Sequence, residues 1–188
     1  MRSATVKLIP NILTILRLVL VVPICLLILS ENYQPVLWLA LIAGLSDALD
    51  GWLARKLGSV SRYGAIADPL IDKTLLISVY SCLMIVDVLP WWVLIIMVTR
   101  DAVIVSGALA YHWLFGRYEI KPSFWGKAST AVQIIFALML LTQQLFPVFP
   151  VLVLQLTTWL LILLAFVSGG HYVYLWGKKA TALYRSKR

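Results

Sequence analysis

Four carboxylates stand out in a chain that is otherwise apolar: Asp47, Asp50, Asp68 and Asp72, half of its eight acidic residues. On a helix, positions three or four apart share a face, so Asp47 with Asp50 and Asp68 with Asp72 form two pairs. Two such pairs facing each other supply an all-oxygen ligand set suited to hard divalent cations. Two such ions, held about 3.5–4 Å apart, can stabilise the attacking and leaving oxygens of an in-line displacement together. The residues in between suit that chemistry. Gly51 follows Asp50 without a side chain and lets a ligand lie against the helix. Ala54 keeps the same face shallow, and Arg55 can hold phosphate oxygens in a bidentate grip. For Gly51 and Gly64, close helix packing in a membrane is an equally good reason for a small residue. Structural salt bridges to Arg55, Arg62, Lys73 or Arg100 are the plain alternative for the aspartates, but they leave the spacing of all four unexplained.

The elements that must position these groups are membrane helices. With 62% hydrophobic and 13% charged residues over 188 positions, the chain does not compose as a soluble domain. Its length suits one helical membrane domain, residues 1–188, without a second, soluble one. Apolar runs near the roughly 20 residues that cross a bilayer core fall at about 11–30, 36–55, 68–88, 90–115, 123–145 and 151–175. The expected fold is therefore all-α and integral to the membrane, with six transmembrane helices and a polar cavity at the cytoplasmic face. The first run has a basic start like a signal peptide, but no small-residue cleavage site follows it, so it reads as an uncleaved span. Spans two and three are antiparallel and joined by KLGSVSRYGAIA, which brings both aspartate pairs to the same end. Cys25 and Cys82 lie inside apolar runs and read as small buried hydrophobes.

Charge sets the orientation. The net charge is +8, yet the loops after residues 30, 87 and 145 contain no Lys or Arg. The amino end, the 56–67 loop, the 116–122 loop and the tail KKATALYRSKR hold most of the sixteen basic residues. By the positive-inside rule, both termini and the aspartate site face the cytoplasm, which in a bacterium means the inner membrane. The basic balance is then topology and attraction to anionic lipid. Nucleic acid is not an expected partner.

A second polar set comprises Arg100, Asp101, Lys121, Lys127, Thr130 and Gln133. Lys127, Thr130 and Gln133 recur at three-residue intervals and can share a cavity, while Lys121 and Lys127 flank the start of the fifth span. Interfacial snorkelling accounts for the two lysines as well. Arg100, about ten residues inside its span, calls for an aspartate or an acidic headgroup. His171 in the last span reads as an interfacial aromatic. A transporter would also place carboxylates in a membrane, though usually near mid-bilayer in broken helices related by a repeat. These cluster at one face, and no repeat is visible.

Written as D-x2-D-G-x2-A-R-x8-G-x3-D-x3-D, the aspartate segment matches a known signature at all eight fixed positions. At average residue usage, chance would produce that with a probability on the order of 10⁻⁸. The signature resembles that of the CDP-alcohol phosphatidyltransferases, integral membrane enzymes that move a phosphatidyl group from CDP-diacylglycerol to an alcohol and release CMP. The resemblance runs from Asn11 to about Gln133. It implies that Asp47, Asp50, Asp68 and Asp72 hold two divalent ions, Mg2+ or Mn2+, and that Asp72 also takes the proton from the acceptor hydroxyl. It places Gly51, Ala54, Arg55 and Gly64 against the CDP diphosphate. In the opening PNILTILR it adds Asn11 and Thr14 as nucleotide contacts, with helix capping an equal reading of Asn11. It also implies a homodimer.

Within the family, phosphatidylglycerophosphate synthases typically show A-R-E in the fourth span and a second Arg eight residues on. This chain has Thr99-Arg100-Asp101 and Ala108. Arg100-Asp101 followed by Lys121-Pro122-Ser123-Phe124, Lys127 and Thr130-Ala131-Val132-Gln133 is more similar to the CMP-forming cardiolipin synthases. The expected acceptor is therefore phosphatidylglycerol, with glycerol 3-phosphate the alternative, and Arg100, Asp101, Lys121, Lys127 and Thr130 are its expected contacts.

Overall fold

The computed structural model of the protein describes residues 18–44, 64–115 and 123–186. Among these residues the chain forms six helices and no strand. They are α1 (Leu18–Leu29) and α2 (Tyr33–Gly44), α3 (Gly64–Ile85), α4 (Trp91–Phe115), α5 (Phe124–Leu145) and α6 (Val151–Ser186). At 1.5 Å per residue, the 22-residue α3 and α5 are each about 33 Å long, enough to match the roughly 30 Å of bilayer hydrocarbon. Among the described residues, two segments combine that length with the composition of a membrane span: α5, and Val151–Leu175 of α6.

Two boundaries depart furthest from the sequence expectation, for physical reasons. The third helix begins at Gly64 rather than at Asp68, because Gly64-Ala65-Ile66-Ala67 contains nothing that stops a helix. Pro69 is accordingly the sixth residue of α3, where it cannot donate to the carbonyl of Ala65. The last helix runs on to Ser186 instead of ending near 175. Its Lys-Lys-Ala-Thr-Ala-Leu extension is polar enough to leave an apolar phase but has good helix formers.

Two tight reversals share one design. After α1, the Asn32 N–H donates to the Leu27 carbonyl (2.9 Å) and the Glu31 N–H to Ile28 (2.9 Å). After α3, the Val88 N–H donates to Leu83 (2.9 Å) and the Asp87 N–H to Met84 (3.1 Å). Both are Schellman closures, which require a left-handed residue just past the helix. Here that residue is not glycine: φ is 56° at Glu31 and 58° at Asp87.

The helices group into two compact units. The first holds α1, α2, α3 and the end of α5 from Ala137, and its core includes Ile24, Ile28, Val36, Tyr80, Leu83 and Leu141. The second holds α4, α5 up to Phe136, and α6, with α4 packed along α6. Its interior carries Arg100, Ser129, Gln133 and Ser168, whereas Trp91, Ile95, Trp113, Leu156, Trp159, Leu163 and Phe166 are exposed. A few polar groups held among buried apolar side chains such as Val93, Met97, Phe136 and Leu161, with large apolar side chains outside, is an arrangement that suits lipid.

The strained reversals generate a stability prediction. Glycine removes the steric cost of the left-handed conformation but adds unfolded-state freedom, so Glu31→Gly and Asp87→Gly should each stabilise by about 0.5–1 kcal/mol. Thermal unfolding in detergent should show a raised Tm for both, and no gain for Asp87→Ala.

Candidate active site

Two sets of residues bear on chemistry. The first is carried by α3, where Gly64 is the opening residue and Asp68 and Asp72 follow one turn apart. That register puts the two carboxylate positions on one face of the helix. The residues Asn11, Thr14, Asp47, Asp50, Gly51, Ala54, Arg55 and Lys121 lie outside the described residues.

The second set forms a polar seam inside the α4–α5–α6 unit. Arg100 is only 7% exposed. Its Nη1 donates to Asp101 Oδ1 at 2.5 Å and its Nη2 to Ser168 Oγ on α6 at 2.5 Å. The Arg100 Nε is buried and has no hydrogen-bond partner among the described residues. Its stem rests on α6 where a glycine interrupts the side chains, so that a Cβ on Gly169 would sit 3.9 Å from Arg100 Cγ. Of the two readings of a buried Arg100 offered by the sequence, the aspartate pairing is present.

One turn further along α6, Tyr172 is buried and its Oη accepts the Ser123 N–H at 3.0 Å. Ser123 in turn caps α5, its Oγ accepting the Gly126 N–H at 3.0 Å. A serine in this place satisfies one of the orphan donors of the first turn. The start of α5 is therefore fastened twice, through its own cap and through α6.

The α5 candidates do not share one environment. Gln133 is fully buried, Thr130 half-buried and Lys127 exposed. Three-residue steps fall short of a full turn by about 60° each, so two steps carry the side chain well round the helix. The Thr130 hydroxyl donates to its own helix at Gly126 (3.2 Å). Ser129, which the sequence did not single out, is 1% exposed, and its Oγ has no partner among the described residues. Ser168 and Tyr172 were equally unmarked. Their sequence signal is the small-residue run Ser168-Gly169-Gly170 inside an apolar helix, which permits close helix approach.

A model of the CDP-alcohol phosphatidyltransferase family matches residues 7–169 of this chain. The chain belongs to that family. This phosphatidyltransferase is thus an enzyme of phospholipid biosynthesis, and the transporter alternative falls. It is 30% identical to a putative cardiolipin synthase of Mycobacterium tuberculosis over 171 residues, 89% of this chain and 78% of that protein. It is 27% identical to the cardiolipin synthase (CMP-forming) of Rattus norvegicus over 95% of this chain and 64% of the relative. A probable phosphatidylglycerophosphate synthase of Mycobacterium tuberculosis is 38% identical over 132 residues, 66% of this chain and 61% of that protein.

The fastening of α5 yields a test of local packing. A Cβ at Gly126 would meet Tyr172 Oη at 3.1 Å and Ser123 Oγ at 3.2 Å, whereas one at Gly170 would meet nothing within 4 Å. Since Tyr172 is buried, it has little room to give. Gly126→Ala should lower the Tm in detergent by the equivalent of about 1–3 kcal/mol, and Gly170→Ala should not lower it.

Proposed function

We propose that the protein transfers the phosphatidyl group of CDP-diacylglycerol to a glycerol-type acceptor, that the preferred acceptor is phosphatidylglycerol, and that the products are cardiolipin and CMP. The observation that carries this acceptor is the pairing of Arg100 with Asp101 inside the α4–α6 seam. A buried arginine with its own counter-ion presents a local charge near zero. Such a group can still donate to an oxygen, but it attracts a phosphodiester monoanion with less penalty for imbalance than a phosphomonoester, which approaches two negative charges near neutral pH. The second arginine typical of glycerol 3-phosphate users is replaced by Ala108, which argues the same way. The similarity to a probable phosphatidylglycerophosphate synthase keeps glycerol 3-phosphate as the second reading.

In this reading Asp47, Asp50, Asp68 and Asp72 would hold two divalent cations, Mg2+ or Mn2+. The donor chemistry present on α3 fits, since two carboxylates one turn apart are hard oxygen ligands. When bound, such ions supply charge neutralisation of the diphosphate. Asn11, Thr14, Gly51, Ala54, Arg55 and Gly64 would line the CDP portion, with Arg55 on phosphate oxygens. Asp72 takes the proton of the acceptor hydroxyl, whose oxygen bonds to the phosphorus that carries diacylglycerol. The bond from that phosphorus to the bridging oxygen breaks, and CMP leaves. Arg100, Asp101, Lys121, Lys127 and Thr130 form the acceptor side. The six-span topology with a cytoplasmic site and a homodimeric assembly complete the proposal. They are supported by the distribution of Lys and Arg and by the family.

Two measurements test this reading. With purified protein, labelled CDP-diacylglycerol and Mn2+, phosphatidylglycerol should yield cardiolipin, and Asp72→Asn should lose at least about a thousandfold in turnover while keeping its Tm. Phosphatidylglycerophosphate formed from glycerol 3-phosphate alone would replace the preferred acceptor by the second. Asp101→Asn, which unmasks the Arg100 charge, should move the ratio of the two products toward the phosphomonoester acceptor by roughly tenfold.

A further inference from the structure

Helix α6 carries no motif of the family signature, yet two of its side chains hold the polar groups of two other helices. Ser168 is 0% exposed and its Oγ accepts from Arg100 Nη2, sixty-eight residues away in sequence. Tyr172 is buried, and its Oη accepts the Ser123 N–H, forty-nine residues away. The two lie four residues apart and so occupy one face of α6. Neither hydroxyl is turned back onto its own helix in these bonds, in contrast to Thr130, Thr142, Thr157 and Thr158, which all donate to carbonyls one turn earlier.

From this geometry we infer that Ser168 and Tyr172 are positioning residues for acceptor recognition. Ser168 fixes the rotation of the Arg100 guanidinium, and Tyr172 fixes the first turn of α5 on which Lys127 stands. The inference rests on the proposed assignment of Arg100 and Lys127 to the acceptor. Arg100 and Asp101 are sequence neighbours, and adjacent helix positions do not face each other. Their contact alone therefore leaves the guanidinium plane free to swing about its stem. The second anchor at Ser168 removes that freedom and leaves Nε as a buried guanidinium nitrogen with no protein partner among the described residues. Fixing a donor before the ligand arrives lowers the ordering cost at binding. The effect should accordingly fall on the acceptor and not on the lipid donor.

The test is steady-state kinetics in mixed micelles, with phosphatidylglycerol and glycerol 3-phosphate run in parallel as acceptors, on wild type, Arg100→Ala, Ser168→Ala, Tyr172→Phe and the double variant Arg100→Ala/Ser168→Ala. Each Tm in detergent is recorded alongside. Expected for Ser168→Ala is a roughly tenfold rise in the KM of whichever acceptor is used, with the KM for CDP-diacylglycerol within about twofold of wild type. Tyr172→Phe should raise the same KM by roughly threefold to tenfold. Because Ser168 acts through Arg100, the double variant should be no worse than Arg100→Ala. If Arg100→Ala raises the acceptor KM and Ser168→Ala does not, or if its effect adds in full to that of Arg100→Ala, the role of Ser168 is overturned while the acceptor reading stands. A silent Tyr172→Phe overturns the role of Tyr172. If Arg100→Ala leaves the acceptor KM unchanged, or neither acceptor is consumed, the acceptor assignment falls and takes this inference with it.

Discussion

An arginine placed ten residues into an apolar helix constrains everything packed around it. Leaving a guanidinium charge uncompensated in a low-dielectric interior costs several kcal/mol. The compensation comes from Asp101 beside it and from Ser168 across the seam. Meeting the second partner requires α4 to pack along α6, where the Arg100 stem passes over Gly169. Outside, the same two helices carry tryptophans, leucines and valines. The unit is therefore apolar outside, and its largely apolar interior holds a seam of polar groups around Arg100.

Stability alone does not explain such a pair. Replacing a buried ion pair by well-packed hydrophobic residues is often neutral or favourable, and a membrane helix would accept Leu at both positions without loss. The pair is also local, since Arg100 and Asp101 are neighbours on one helix. A tie between helices comes from Ser168. The seam further contains the orphaned Ser129 Oγ and the buried Gln133. A lone buried hydroxyl without a partner costs roughly 1–3 kcal/mol. A protein that keeps these groups has a use for a hydrogen-bonding interior, which a phosphatidyltransferase handling polar headgroups beside a membrane does have.

What the sequence made legible follows a simple physical line. Register along one helix is readable, because a period of 3.6 residues fixes that Asp68 and Asp72 stand one turn apart wherever α3 begins. Helix existence was equally readable, since runs of apolar residues this long admit few other structures. The ends of α3 and α6 were not, because Gly64–Ala67 and the stretch after Leu175 contain residues that a helix tolerates and a loop also accepts. Glu31 and Asp87 hold left-handed positions usually announced by glycine, so these turns gave no composition signal. Ser168 and Tyr172 were hidden for a different reason. A hydroxyl inside an apolar helix normally bonds its own backbone, as Thr142 and Thr158 do, and only the identity of the neighbouring helix separates the two cases.

That neighbour relation gives α6 its part in the enzyme. Ser168 and Tyr172 share a face, and a helix is a rigid ruler over one turn. A slip of α6 by one residue would rotate that face by about 100° and withdraw both oxygens at once, one from the arginine of α4 and the other from the cap of α5. The two attachments are thus coupled through helical geometry without any contact between Arg100 and Ser123. Gly126 sharpens the same dependence, since its missing side chain lets the Tyr172 hydroxyl lie within reach of the first turn of α5. A helix that reads as mere hydrophobicity can in this way hold the groups of two others in register, by two hydroxyls four residues apart.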